Sequence, residues 1–419
     1  MKRLIVFLLV FISSFSVSQN FWQKTSFPSG SQVNSVYSLL SLSDNSILAG
    51  TFANGIFKST DNGLSWSPSG LSSQWIIKLK KDNLNNLYAL SVGSAFGSGL
   101  FKSTDNGTNW NRVWEYQGGL NCLYLDQNNN IYVGLQYSGG EGGVYKSSNG
   151  GVSWSNIFPI VANVFSIIKA NDGTLLLAVY ESGLAKIYRT TNEGVSWNSY
   201  SFGINFTSTD FIISNNGIIF LSTAGYGIYK STDNGNTWNI TASVGWDYSS
   251  LYLDGNTIYA GTRGNWVYRS TDLGVNWSLL NSGMGQDNFI LSLEGNRNGF
   301  LFAGMDYSGI YRSVNQVLSI NENEISIKDF TLNQNYPNPF NPSTTIEFNL
   351  PFKSSVVLKI YDIVGREVLK SIDKEMEAGY HKLNLDMSRF SSGVYLYRIE
   401  ARGIDGNNHS SIKKMILNK

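Results

Sequence analysis

Ser59-Thr60-Asp61-Asn62-Gly63-Leu64-Ser65-Trp66 is the stretch on which the reading of this chain turns. The same octapeptide returns at Ser103 to Trp110, Ser231 to Trp238 and Ser270 to Trp277. Two looser copies run from Ser147 to Trp154, with Asn149 in the acidic place, and from Thr190 to Trp197, with Thr190 and Asn192 for Ser and Asp. Trp66, Trp110, Trp154, Trp197, Trp238 and Trp277 close the six copies, and Trp22 stands ahead of them. The steps between these tryptophans are 44, 44, 44, 43, 41 and 39 residues. A strand-rich period of about 40 to 45 residues marks one blade of a β-propeller.

Working outward from the first copy, Val36 to Leu42 alternates, Asp44-Asn45 turns, and Ile47 to Thr51 makes a second strand. Gly55 to Ser59 makes a third, and the fourth lies around Trp66. Turn residues recur at Asp82-Asn83, Asp126 to Asn130, Asn171 to Gly173, Asn215 to Gly217, Asp254 to Asn256 and Asn296 to Gly299, which accounts for most of the acids. Within the octapeptide, Asp61, Asp105, Asn149, Asn192, Asp233 and Asp272 are expected to accept backbone N–H groups two residues on. The glycine supplies a positive φ, and the tryptophan packs back over the hairpin. Full burial of an indole contributes at most roughly 5 kcal/mol, from about 200 Å² removed from water. These residues are therefore read as scaffold, not as metal ligands or acids.

Closure is legible as well. The seventh unit reaches Ser313-Val314-Asn315 and has no octapeptide, while Trp22 has no blade before it. The N-terminal segment is thus expected to supply the outermost strand of the last blade and so seal the ring.

The octapeptide at this spacing resembles the Asp-box of the sialidase-type (BNR) repeat families, over residues 19–318. The resemblance implies an all-β chain with a seven-bladed β-propeller. Composition agrees: 42 glycines, 14% aromatic and only 15% charged residues suit short strands and tight turns. A net charge of +1 gives no reason to expect a nucleic-acid partner. Lys2-Arg3, the apolar run Leu4 to Ile12 and Ser16-Val17-Ser18 form a secretory signal peptide over residues 1–18. That run is too short to cross a bilayer, and no other stretch qualifies, so the mature chain is expected to have no transmembrane segment. Cys122 stands alone in an apolar run and is read as a small core residue.

Beyond Asn315 the pattern stops. Residues 319–334 read as a linker, and four of the seven prolines lie between 337 and 351. Strands are expected at Thr345 to Leu350, Val356 to Asp362, His381 to Leu385 and Gly393 to Ala401, giving a small immunoglobulin-like sandwich over 335–419. Tyr336-Pro337-Asn338-Pro339-Phe340, Val357 to Arg366, Gly393 to Tyr397 and Lys413-Lys414-Met415 closely resemble the type A C-terminal sorting domain of the type IX secretion system of Bacteroidota. This implies the type IX machinery as partner, through residues 335–419, and attachment to the cell surface or release.

Both histidines, His381 and His409, lie in the sandwich, so the propeller carries no Ser-His-Asp or Cys-His arrangement and no usual zinc set. No metal, cofactor or catalytic residue is assigned. Arg189, Arg269 and Arg312 stand one place before the octapeptide, where Lys58, Lys102, Lys146 and Lys230 stand elsewhere, so they are repeat positions. They do not form the arginine cluster of a sialidase. One face draws attention: the loops between second and third strands carry Phe52, Phe96, Tyr137, Tyr180, Tyr226, Trp266 and Tyr307. Loops on the same side add Trp75, Trp114, Tyr116, Trp246 and Tyr248, with Arg263 nearby. Tyr137, Tyr180, Tyr226, Trp246, Trp266, Tyr307 and Arg263 are the candidate ligand residues, suited to a polysaccharide or a surface protein. The bland alternative is that these rings pack between blades. The leading expectation is a non-catalytic binding or structural propeller. Its rival is a glycoside hydrolase using two acids among Glu115, Glu141, Glu181, Asp247 and Asp306. A third reading is an assembly factor, as in the photosystem II assembly type of Asp-box propeller.

Overall fold

A computed structural model of the chain describes residues 20–28, 35–93, 98–137, 142–205, 207–241, 246–318, 330–350, 354–376, 379–403 and 408–419. The signal-peptide reading, Phe96 and Glu141 lie outside the described residues. Two compact units part between Ser319 and Ile320.

Among the described residues the first unit holds seven four-stranded antiparallel sheets, here blades 1 to 7 in chain order. Their inner strands are Val36–Ser41, Trp75–Lys81, Gly119–Leu125, Asn163–Lys169, Ser208–Ile213, Tyr248–Asp254 and Ile290–Gly295. Each inner strand touches the next, and the seventh touches the first. The second strands, such as Ile47–Thr51 and Leu301–Met305, are buried along their whole length because neighbouring blades cover both faces.

Every inner strand carries a register shift near its start, from Val36/Ser38 in blade 1 to Ile290/Ser292 in blade 7. A bulge of this kind re-aims side chains. Here it turns short polar ones onto the next blade. Asn121 Nδ2 donates to Val164 O (2.9 Å), Thr209 Oγ1 to Tyr248 O (2.6 Å) and Ser249 Oγ to Ile290 O (2.5 Å). Ser292 Oγ donates to Val36 O (3.0 Å), which carries the stitching across the join from blade 7 to blade 1.

The ring closes as the sequence implies. Trp22–Lys24 pairs antiparallel with Ile310–Ser313 as the outermost strand of blade 7. Trp22 is 1% exposed, and its Nε1 donates to Leu280 O of blade 6 at 2.9 Å. Trp110 and Trp197 make the same bond to their preceding blades, at Ser69 O and Ile157 O. Trp22 therefore performs the between-blade half of a box tryptophan without a box.

The box itself differs from expectation in two respects, the reach of its acid and the burial of its tryptophan. Asp61 Oδ1 accepts the N–H of Ser65, four residues on and not two, at 2.9 Å. The same reach joins Asp105 to Asn109, Asn149 to Ser153, Asn192 to Ser196, Asp233 to Thr237 and Asp272 to Asn276. The reason is the hydroxyl before it: Ser59 Oγ donates to Asp61 Oδ1 and itself accepts the N–H groups of Asp61 and Gly63. Gly63 has φ 79°, and a Cβ there would lie 2.4 Å from the Phe302 ring of blade 7. The indole Nε1 of Trp66 donates to Gly63 O, as Trp154, Trp238 and Trp277 do to their own box glycines. Only Trp66 and Trp238 of the six are buried; the others are half-buried, so full burial overstates their contribution. The cation before the box reaches the next blade's box: Lys58 Nζ to Asn106 O, Lys230 Nζ to Leu273 O, and Arg312 Nη1 to Asn62 O across the join. Cys122 is buried, and burial pushes its thiol up to about 12.

The second unit is a sandwich of a three-stranded sheet on a four-stranded one. Its core is formed by Ile346, Phe348, Leu358, Ile360, Tyr397, Ile399 and Met415, with their neighbours. Thr331–Leu332, within the segment read as linker, pairs with Ser343–Leu350 and belongs to this sandwich. Glu367–Met376 and Asn408–Leu417 are strands that the sequence reading did not place. Their solvent faces leave few apolar residues to mark them.

Candidate functional site

The loops between second and third strands share one hairpin bond. It runs from Thr51 N to Gly55 O, Thr223 N to Gly227 O, Thr262 N to Trp266 O and Met305 N to Gly309 O. Trp266 thus occupies the place of Gly55, Gly227 and Gly309, and shares their left-handed backbone: φ is 58° against 70°, 89° and 79°. Tyr307 (φ 61°) likewise stands where Gly225 and Gly264 stand in blades 5 and 6. A left-handed conformation costs a residue with a Cβ about 1–2 kcal/mol. Blades 6 and 7 carry large aromatics at positions that favour glycine.

These rings serve different ends. Trp266 Nε1 donates to Gly285 O, and the ring packs on the core between blades 6 and 7, so it is half-buried scaffold. Tyr307 is 74% exposed. Trp75 meets Phe52 and Tyr37 edge-on, and Trp114 stacks on Trp154 at 4.3 Å. For these rings the packing alternative holds.

The remaining sequence candidates divide. Tyr137 is exposed on blade 3, its N–H held by Asn163 Oδ1. Tyr180 is half-buried within the strand Leu175–Glu181. Tyr226 and Trp246 are exposed on blades 5 and 6, joined through Gly225 N and Trp246 O. The structure brings Arg263 and Tyr307 into one cluster and leaves Tyr137 and Tyr180 on other blades. The even distribution of aromatics in sequence thus covers different rungs of the loop and not one platform.

The cluster is built on backbone. Arg263 N donates to Asp247 O (2.8 Å), Arg263 bridges Phe289, and Asp306 N donates to Phe289 O (2.9 Å). Ser35 Oγ donates to Asp306 Oδ1 (2.6 Å) and lies 3.3 Å from Tyr307 N, which donates to it. Tyr37 faces the same groups: burial raises its hydroxyl pKa, Asp306 and Tyr307 raise it further, and Arg263 opposes them. Arg263 is exposed and has no ion pair among the described residues. Among the described residues, Asp247 Oδ1 is buried without a hydrogen-bond partner. Ser35, Tyr37 and Phe289 were not foreseen. They carry no motif, and only the closing of blade 7 onto blade 1 brings them here.

The other acids are engaged. Glu115 pairs with Arg112 at 3.3 Å on the outermost strand of blade 2. Glu181 accepts from Lys186 Nζ (2.8 Å) and Tyr188 Oη (2.6 Å). Burial pushes its pKa up, and these two donors bring it below the usual carboxylate value. Among the described residues no group of three or more His, Cys, Asp or Glu stands together to hold a metal ion, and no helix is long and apolar enough to cross a membrane.

Residues 334–418 match the secretion system C-terminal sorting domain family. No curated protein matches the chain. Among solved structures it is similar to PorZ, an essential surface component of the type IX secretion system of Porphyromonas gingivalis. That match has a TM-score of 0.50 at 14% identity, covering 92% of this chain and 60% of PorZ, so the chain spans less than two thirds of that protein. YCF48 bound to D1 peptide aligns with a TM-score of 0.56 at 12% identity, over 71% of this chain and 98% of YCF48. The GH74 enzyme of Niastella koreensis aligns with a TM-score of 0.55 at 15% identity, over 93% of this chain and 67% of the enzyme. At these identities the likeness is one of fold. The chain is a β-propeller followed by a C-terminal sorting domain, which sends it through the type IX secretion machinery to the cell surface or the medium.

Proposed function

We propose that the exported propeller is a non-catalytic binding module whose glycan or protein ligand is held on the loop face of blades 6, 7 and 1. The observation that carries this reading is the exposed Arg263, without an ion pair among the described residues, which acts on Tyr37 together with the exposed Tyr307, itself kept on a left-handed backbone. Backbone strain of this kind gathers at ligand sites. The engagement of Glu115 and Glu181 also counts against a hydrolytic pair among them. The fold is compatible with either role, since PorZ is a surface component, YCF48 was captured with a peptide, and the Niastella protein is a glycoside hydrolase-family enzyme.

A hydrolase reading keeps one specific support: Asp247, with its bare Oδ1, and Asp306 are tied on either side of the Arg263–Phe289 bridge. The test is a polysaccharide panel, run both for retardation of the full chain in affinity gels and for new reducing ends. Retardation without new reducing ends, lost in Arg263→Ala, is the expected result. Turnover abolished by Asp247→Asn or Asp306→Asn overturns the binding reading in favour of a hydrolase.

A further inference from the structure

The cluster's charges discriminate among ligand classes. The exposed Arg263 and the carboxylate of Asp306 both act on the Tyr37 hydroxyl, and backbone bonds tie Arg263 through Phe289 to Asp306. A polyanion that meets Arg263 also meets the like charge of Asp306. A polycation that meets Asp306 also meets Arg263. A neutral polyol satisfies both: its hydroxyls donate to carboxylate oxygens and accept from guanidinium N–H groups. Beside these groups the Tyr307 ring is open to solvent. An exposed aromatic face receives the C–H face of a pyranose, which is apolar while its rim is polar.

Taking the loop face as the binding surface, we infer that Arg263, Asp306 and Tyr307 form a subsite for a neutral pyranose, as part of an uncharged polysaccharide. Arg263 and Asp306 read hydroxyls on the ring's rim, and Tyr307 supplies the stacking surface. Ser35 holds Asp306 and the Tyr307 backbone in place, joining blade 1 to the site. The subsite therefore exists only in the closed ring.

Calorimetric titration of the full chain with cellotetraose, mannotetraose, tetragalacturonate and tetralysine tests the assignment. A neutral tetraose should bind at least about tenfold more tightly than either charged probe, and Tyr307→Gly and Arg263→Ala should each weaken it about tenfold. Neither side chain is buried, and glycine suits the backbone at 307, so unchanged melting temperatures will show that both variants fold. Preferred binding of tetragalacturonate or tetralysine, lost in the same variants, overturns the neutral sugar but leaves the loop face as the binding surface. A neutral tetraose bound equally well by both variants overturns the placement and with it the loop-face reading. Binding of none of the four overturns the sugar assignment, and the loop face then stands or falls on the gel retardation.

Discussion

At the scale of single residues, the box carboxylates behave as anchors of turns. Hydrogen bonds from the backbone and side chain of Asn109, then from Ser103, hold Asp105 at about 2, and Asp272 is held at about 2 by Asn276 and Ser270 in the same way. A carboxylate whose pKa is lowered on folding stabilises the fold above its ordinary pKa, and that contribution disappears as pH falls toward the folded value. The melting temperature should therefore drop between about pH 4 and pH 2, the window between the ordinary and folded values. Asp105→Asn with Asp272→Asn should flatten that drop, because Asn149 and Asn192 already show an amide oxygen doing the same work. A second prediction concerns Tyr307. Replacing it with glycine relieves a left-handed backbone but loosens the unfolded chain, so stability should be unchanged or rise by up to about 1 kcal/mol. An ordinary large-to-small loss seen by chemical denaturation would show that the ring packs, contrary to its exposure.

At the scale of elements, the decisive strand is the shortest of blade 7. Trp22–Lys24 covers the edge of Ile310–Ser313, and Trp22 fills the gap between blades 6 and 7. Trp22→Ala should destabilise the propeller by about 3–5 kcal/mol, the usual cost of truncating a buried large aromatic. Deleting residues 19–27 should lower the melting temperature sharply. An unchanged melt would mean that the ring shuts without this strand. The inner strands were legible from alternation, but their bulges were not. Ser38, Asn121, Thr209 and Ser249 look like ordinary polar alternates until the next blade's backbone is beside them.

At the scale of the whole molecule, seven blades close without any disulfide, since Cys122 is the only cysteine. Cohesion comes from apolar clusters between blades and from bonds that cross each join, the last of them Ser292 to Val36 and Arg312 to Asn62. The sorting domain is a separate compact unit with its own core. Removing residues 320–419 should leave the propeller's melting transition in place and abolish its appearance at the cell surface and in the medium, measured by fractionation and immunoblotting.

Spaced tryptophans, box residues and Trp22 without a box were enough to read the blades and the closure, and the stretches Tyr336 to Phe340, Val357 to Arg366 and Gly393 to Tyr397 were enough to read the sorting domain. Each of those features rests on a local motif or on a period along the chain, and sequence carries both. The proposed binding cluster is half legible: Arg263, Tyr307 and Asp306 can be named but not grouped, and nothing in the sequence tells that Trp266 packs between blades. Ser35 and Tyr37 come from the first blade, and Asp306 from the last, some 271 residues away along the chain. Trp22 tells that the ring closes, but which loop residues the closure sets face to face has no local signature, and only the tertiary structure decides it.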